Sequence, residues 1–217
     1  ETNLIFLHPG VIPPGCGIGH HYHHQMEEMF VIFDNEAQFT INGRTSVLRG
    51  PAGAPCRMGF SHAIYNHTAK PTQWMNIAVG TVRGRYDNED LGDDRVGVPL
   101  DAKPVFTTLR LDAKLLREVA GRYRGKGTVR YRRALRPEMF RTNWGYVDHL
   151  ILPPDTSEGL HRHDFMEEFY YVINGRGRVT VDKETVEIGA GDAVPVRLRE
   201  PHGFYNHTAQ DLELMIV

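Results

Sequence analysis

Short runs of apolar or alternating residues, each stopped by turn residues, recur through most of the chain. Leu4 to Ile12 is largely apolar and ends at Pro13-Pro14-Gly15, which predicts a strand followed by a turn. Met29-Phe30-Val31-Ile32-Phe33 has the aromatic and β-branched content of a strand. Gln38 to Ile41 alternates into Asn42-Gly43, a hairpin signal. Ser46 to Leu48, Ala54 to Met58, His62 to His67 and Trp74 to Val79 give further short strands. Short strands at this spacing predict an antiparallel sandwich or barrel.

The pattern then occurs again. His21, His23, Met26, Glu27, Glu28, Pro55, Arg57, His62, Tyr65, Asn66, His67 and Thr68 recur at a constant offset of 140 as His161, His163, Met166, Glu167, Glu168, Pro195, Arg197, His202, Tyr205, Asn206, His207 and Thr208. The rarest residue types fall in phase with no gap, so the register is unambiguous. A period this long means two domains of one fold rather than a solenoid. The organisation expected is an N-terminal barrel over 1–82, a linker over 83–143 and a C-terminal barrel over 144–217.

The linker differs in character. Gly84 to Gly97 is charged and Gly-rich and predicts an exposed loop. Leu111, Leu115, Leu116 and Val119 stand at helical spacing between a capping Asp112 and a stopping Gly121, which predicts one short helix near 112–121. Thr128 to Leu135 alternates basic and apolar residues and suits an extra strand of the second barrel. Arg122, Arg124, Lys126, Arg130, Arg132, Arg133, Arg136 and Arg141 make the segment basic. That run reads as a solvated face, with an anion or partner site as the sharper alternative.

Whole-chain composition narrows the classes. The chain has 217 residues, and 25 basic against 27 acidic side chains give a formal charge of −2. This balance leaves no footprint for nucleic acid or an anionic membrane. No apolar run approaches the roughly 18 to 20 residues needed to span a bilayer. The first residues lack a secretory pattern, and a cytoplasmic protein is the expectation. Cys16 and Cys56 form no C-x-x-C pair and read as free, mostly buried thiols.

Twelve histidines are many for this length, and their positions carry the chemistry. Alternate residues of a strand share a face, so His21 and His23 point one way together. Glu28 lies five positions on and faces back from the next strand across an intervening turn. His62 joins them from further along, and the C-terminal copy offers His161, His163, Glu168 and His202. Three imidazoles and one carboxylate suit a divalent transition metal (Fe, Mn, Ni or Zn), one per barrel, with coordination positions left open. A lone histidine is more often an ordinary side chain than a ligand. Four ligand types with suitable strand parity, repeated in phase, are not explained that way. Glu27 and Glu167 precede the chosen carboxylates and face away on strand parity, which gives them structural roles unless the turn shifts by one.

His-x-His, then Glu, then a turn residue, followed by Pro and His-x-x-x-Asn, resembles the two motifs of the cupins. The C-terminal copy matches as His161, His163, Glu168, Gly175, Pro195, His202 and Asn206; the N-terminal copy matches as His21, His23, Glu28, Pro55, His62 and Asn66. The resemblance implies an all-β chain of two tandem jelly-roll barrels, a bicupin, with a metal inside each. It also implies packing of barrels into a homodimer. Asn35 replaces the motif's glycine in the first copy, a tolerable change because Asn also enters left-handed turns.

Other residues invite roles. Asn66 and Asn206 share the face of His62 and His202 and suit a hydrogen bond to a ligand or a substrate. Tyr170, Phe30, Ile32 and Val172 share the glutamate's face and line the barrel. Arg57 and Arg197 could clamp a substrate carboxylate, with a rim salt bridge as the plainer fate. The function expected is a metal-dependent, dioxygenase-like oxidoreductase acting on a small organic molecule. A metal-dependent isomerase or lyase of a sugar or sugar acid, and a non-catalytic metal- or ligand-binding bicupin, are the alternatives.

Overall fold

The computed structural model describes residues 3–217, and they form two compact units. One comprises Asn3–Arg110 with Pro137–Trp144; the other comprises Leu111–Arg136 with Gly145–Val217. Each unit therefore takes part of the segment between the repeats.

In the N-terminal unit, one sheet orders its strands Leu4–Ile12, Thr72–Gly80, Met26–Ile32, Ala52–Cys56 and Leu109–Arg110. The other orders Arg44–Arg49, Glu36–Ile41, His62–Tyr65, Gly17–Tyr22 and Glu89–Asp93. Their inner faces supply Phe30, Ile32, Phe39, Ile41 and Ile64 to one core. Burying a side chain of this size is worth about 1.5–3 kcal/mol, so these positions hold the two sheets together. The C-terminal unit repeats the plan. A six-stranded sheet runs Arg117–Ala120, Thr128–Leu135, Val147–Leu152, Leu212–Ile216, Glu168–Asn174 and Ala193–Val196. A four-stranded sheet runs Ser157–His161, His202–Tyr205, Arg176–Val181 and Glu184–Gly189. Val172, Tyr170, Phe204, Leu150 and Leu214 fill that core. Antiparallel sheets of this kind form the two jelly-roll barrels that the resemblance to the cupins implies.

The turns follow their residues. Asn42 and Gly43 both take positive φ, 50° and 77°, and join Glu36–Ile41 to Arg44–Arg49 as a hairpin. Asn35 has φ of 49° where Gly175 has 85°, so asparagine does take the left-handed position of the repeat's glycine. Thr128–Leu135 is the extra strand expected, paired with Val147–Leu152.

The linker brings corrections. The helix expected near 112–121 does not form. Ala113–Leu115 makes one 3₁₀ turn, with the Asp112 side chain accepting from Lys114 N, and Arg117–Ala120 is a strand. That strand pairs with Thr128–Leu135, Val119 opposite Val129, and sheet pairing overrides the helical spacing. The charged stretch expected as a loop contains Glu89–Asp93, an edge strand on Gly17–Tyr22. Its acidic side chains suit an edge, which charge protects from further pairing. The basic run is not simply a solvated face. Arg122 bonds the buried Glu158 at 2.6 Å, Arg133 bonds the buried Asp148 at 3.0 Å, and Arg130 pairs with Asp211. Both thiols are free as expected, but only Cys56 is buried; Cys16 is exposed. No helix among the described residues is long and apolar enough to cross a membrane.

Candidate metal centres

Strand register assembles the N-terminal cluster. His21 is the penultimate residue of the Gly17–Tyr22 strand and pairs directly with His62, the first residue of its neighbour. His23 follows on the same chain, and Glu28 enters from the other sheet. His21, His23 and His62 present Nε2 to one oxygen, Glu28 Oε2, at 3.7, 3.4 and 3.2 Å. The C-terminal cluster repeats this arrangement, with His161 paired to His202. His163 and His202 stand 3.2 and 3.1 Å from Glu168 Oε2. In each cluster the four ligand atoms lie within 4.8 Å of one another.

The backbone sets the tautomers. Nδ1 of His21, His62, His161 and His202 lies 2.7–3.0 Å from the carbonyls of Gly19, Phe60, Gly159 and Glu200, and that of His23 meets Asp87 O. A carbonyl only accepts, so each Nδ1 carries the proton and each Nε2 turns a bare lone pair inward. Nε2 of His23, His161 and His163 is buried with no hydrogen-bond partner. Orphaned imidazole nitrogens around a buried carboxylate make an unfavourable convergence of lone pairs that a cation resolves. The donor set therefore fits a divalent transition metal in both units.

The electrostatics agree. Burial opposes ionising Glu28, but its contacts with His21, His23 and His62 hold its carboxyl well below the usual range. Glu168 is likewise buried and likewise held low, by His163, His202 and Tyr146. Burial lowers His62 and brings His161 down to about 4, which keeps both neutral as ligands. Cys56 sits opposite Glu28 on the adjacent strand, but burial and then the glutamate's charge push its thiol well up. It is not among the four residues whose ligand atoms converge.

The two centres differ in their surroundings. His21 and Glu28 line a cavity of about 560 Å³ whose other walls include Phe6, Ile18, Trp74 and Asn76. The C-terminal counterparts of Phe6, Ile18 and Phe30 are Tyr146, Glu158 and Tyr170. Tyr146 donates to Glu168 Oε1. Tyr170 lies 3.2 Å from both Glu168 Oε2 and His202 Nε2. Tyr123 stacks on His161, centroids 3.6 Å apart and rings 11° from parallel. Gly159 permits this, since a Cβ there would meet Tyr123 O at 2.1 Å. Arg122 lies over the ring of Tyr131 and bonds Glu158. Hydroxyls, an ion pair and a stacked ring thus surround the second cluster, where the first meets an apolar cavity.

The remaining site expectations divide. Tyr170 does reach the ligands. Asn66 and Asn206 do not: both are buried in turn locks. Asn66 Nδ2 donates to Ile12 O and Lys70 O while its Oδ1 accepts from Thr68, and Asn206 repeats this with Leu152, Gln210 and Thr208. The amide is spent on backbone groups and the threonine hydroxyl of its own turn, which explains the residue's recurrence without any substrate. Replacing Asn66 or Asn206 with Ala is expected to cost about 2–3 kcal/mol, read from the urea midpoint, because buried carbonyls lose their donors. Arg57 donates Nε to Met139 O, so that nitrogen anchors the Pro137–Trp144 segment rather than clamping a carboxylate. Arg197 is exposed, and its backbone N–H is bonded to Glu200. Sequence reasoning missed Tyr123, Tyr146, Glu158, Arg122 and Asn76. For Tyr146, Glu158 and Asn76 the signal available was their in-phase pairing with the apolar Phe6, Ile18 and Ile216; Arg122 and Tyr123 lie between the repeats and have no such counterpart.

Comparison with known proteins gives the class. The Cupin domain model matches residues 148–217. The oxalate-binding protein of Thermotoga maritima is 33% identical over 93 residues, which is 43% of this chain and 77% of the relative. An uncharacterized protein of Methanocaldococcus jannaschii is 32% identical over 75 residues, 35% of this chain, and the match spans only 60% of that relative. Among solved structures, a mutant of the Bacillus subtilis oxalate decarboxylase matches with a TM-score of 0.70 at 17% identity, covering 100% of this chain and 68% of that one. The chain belongs to the cupin superfamily, and its in-phase ligand sets make it a two-barrel member.

Proposed function

We propose that the N-terminal unit is a metal-dependent oxidoreductase of the dioxygenase type, acting on a small organic molecule. The observation that carries this reading is the cavity of about 560 Å³ that His21 and Glu28 line together with Phe6, Ile18 and Trp74. Its volume is that of a small-molecule site, and apolar side chains make up much of its wall beside the cluster. No lysine or arginine lines it, so a small dianion such as oxalate finds no counter-charge there beyond the centre itself. His21, His23, His62 and Glu28 would hold Fe(II) or Mn(II), which supplies one-electron chemistry toward dioxygen. The chain's own part is to aim three imidazole Nε2 atoms at one point through their Nδ1 contacts with backbone carbonyls, present one carboxylate and receive an apolar substrate beside them.

The test is oxygen uptake by the Fe(II)-reconstituted chain with a panel of catechols, enols and 2-oxo acids. Uptake is expected with at least one class and is expected to vanish in His62→Ala while persisting in His202→Ala. No uptake with any of them would remove the reading. Turnover without oxygen, accompanied by exchange of a solvent proton, would favour the isomerase or lyase instead.

A separate observation favours a binding role for the C-terminal unit. Tyr123 covers His161, and Tyr146 and Tyr170 occupy both oxygens of Glu168. That arrangement suits retention of a metal or a compact ligand rather than turnover, and the similarity to the oxalate-binding protein of Thermotoga maritima makes oxalate the first ligand to titrate.

A further inference from the structure

Asn76 stands out in the N-terminal cavity. It is 7% exposed, lines the space with His21 and Glu28, and its buried Oδ1 has no hydrogen-bond partner. A buried amide oxygen left unpaired costs about 1–3 kcal/mol, so a group that satisfies it recovers that cost on binding.

Sheet register explains where the amide points. Asn76 pairs with His8 on one side and Phe30 on the other. The next pair on the same face is Ala78 with the ligand Glu28. The amide is thus one same-face step along the strand from the metal cluster. In the C-terminal unit the equivalent pair is Ile216 with Tyr170. There the polar group is the tyrosine, and it is spent on Glu168 and His202. In the N-terminal unit the polar group has moved to the neighbouring strand and is unspent.

The walls beside it are flat. Phe6 and His8 stack with centroids 4.2 Å apart and rings 5° from parallel, and Trp74 lies two residues from Asn76 on the same strand and face.

We propose that Asn76 is the specificity-determining residue of this cavity and selects a flat, ring-containing substrate bearing a hydroxyl group. Phe6 and Trp74 take the ring, and the Asn76 amide takes the hydroxyl. A hydroxyl both donates and accepts, so it satisfies the amide in either orientation. This inference rests on the cavity being the substrate site proposed above.

The test uses the full chain loaded with Zn(II), which separates binding from oxidation. Catechol and 1,2-dimethoxybenzene, which has the same ring and oxygens but no hydroxyl, are titrated calorimetrically. Wild type, Asn76→Ile and Asn76→Ala are compared. Ile is the residue the other repeat carries, and Ala removes the amide without overfilling the cavity. Catechol affinity is expected to fall about tenfold in both variants, the worth of one hydrogen bond, while dimethoxybenzene affinity stays within twofold of wild type. Unchanged catechol affinity, or equal weakening of both probes, would overturn the assignment. The two proposals fail separately. Asn76-dependent catechol binding without oxygen uptake in the Fe(II) form removes the oxidoreductase and keeps this inference. Oxygen uptake with a hydroxylated ring whose KM is untouched in Asn76→Ala does the reverse.

Discussion

Metal analysis of the purified chain is expected to give close to two divalent ions per polypeptide, falling to one in His21→Ala and to one in His161→Ala. Each cluster supplies its own four ligand atoms, within 4.8 Å of one another, from a single unit. Removing a ligand should weaken its own centre by about 100-fold or more, beyond the 10–100-fold that outer-shell substitutions cost. His21 is 8% exposed, and its loss leaves His23 and His62 converging on Glu28 without their third partner. The fold should survive, because the side chain's bond to backbone is to the carbonyl of Gly19 only two residues away, and alanine keeps the strand pairing with His62. Circular dichroism of both variants is the control. A chain that keeps two ions in either variant would mean that the clusters are not the binding sites. Loss from one variant only, starting from one ion per chain, would show that the other cluster is empty.

The two centres should also respond differently to what surrounds them. Tyr146 and Tyr170 bond the carboxylate of the C-terminal cluster, and Tyr123 lies flat on His161. The N-terminal cluster faces an apolar cavity instead. A chelator is therefore expected to strip the N-terminal ion first, which the paired variants make measurable one centre at a time.

The ligands were legible because metal chemistry allows few substitutes for imidazole and carboxylate. His21, His23, Glu28 and His62 and their in-phase copies survive at constant offset while the residues around them diverge. Turns were legible for a similar reason: positive φ at Asn42, Gly43 and Gly175 restricts the residue locally. The linker was not legible. Leu111, Leu115, Leu116 and Val119 have helical spacing, yet Leu115 is 42% exposed and Val119 pairs across to Val129. A partner strand some residues away decided the matter, and no local window contains it. Glu89–Asp93 failed in the same way, since an edge strand shielded by charge looks like a loop in composition. Asn66 misled for a different reason. Its recurrence looked like chemistry at the metal, whereas the turn it locks is needed equally by both barrels.

Glu27→Ala is expected to destabilise the N-terminal unit by about 3–5 kcal/mol, among the largest effects of any single side chain outside the metal centres. Strand parity turns Glu27 away from the cluster, and the structure buries it completely. Its carboxyl group accepts from Arg141 N, Thr142 N and Thr142 Oγ1, each at 2.8 Å, and from Met58 N at 3.4 Å. These bonds reach more than a hundred residues along the chain and fasten the Pro137–Trp144 segment to this unit. Alanine would leave the two backbone donors without their acceptor. Phe140 and Trp144, stacked 4.7 Å apart within the same segment, would lose their seat. Trp fluorescence should shift to the red and trypsin should cut at Arg136 and Arg141 far sooner than in wild type. Glu27→Gln keeps one acceptor oxygen but brings an NH₂ group toward donors, so an intermediate loss of about 1.5–3 kcal/mol is expected. Because Glu28 faces the other way, metal content at 20 °C should hold in Glu27→Gln even as the urea midpoint falls. Equal trypsin sensitivity in wild type and Glu27→Ala would show that the segment is held by something other than this carboxylate.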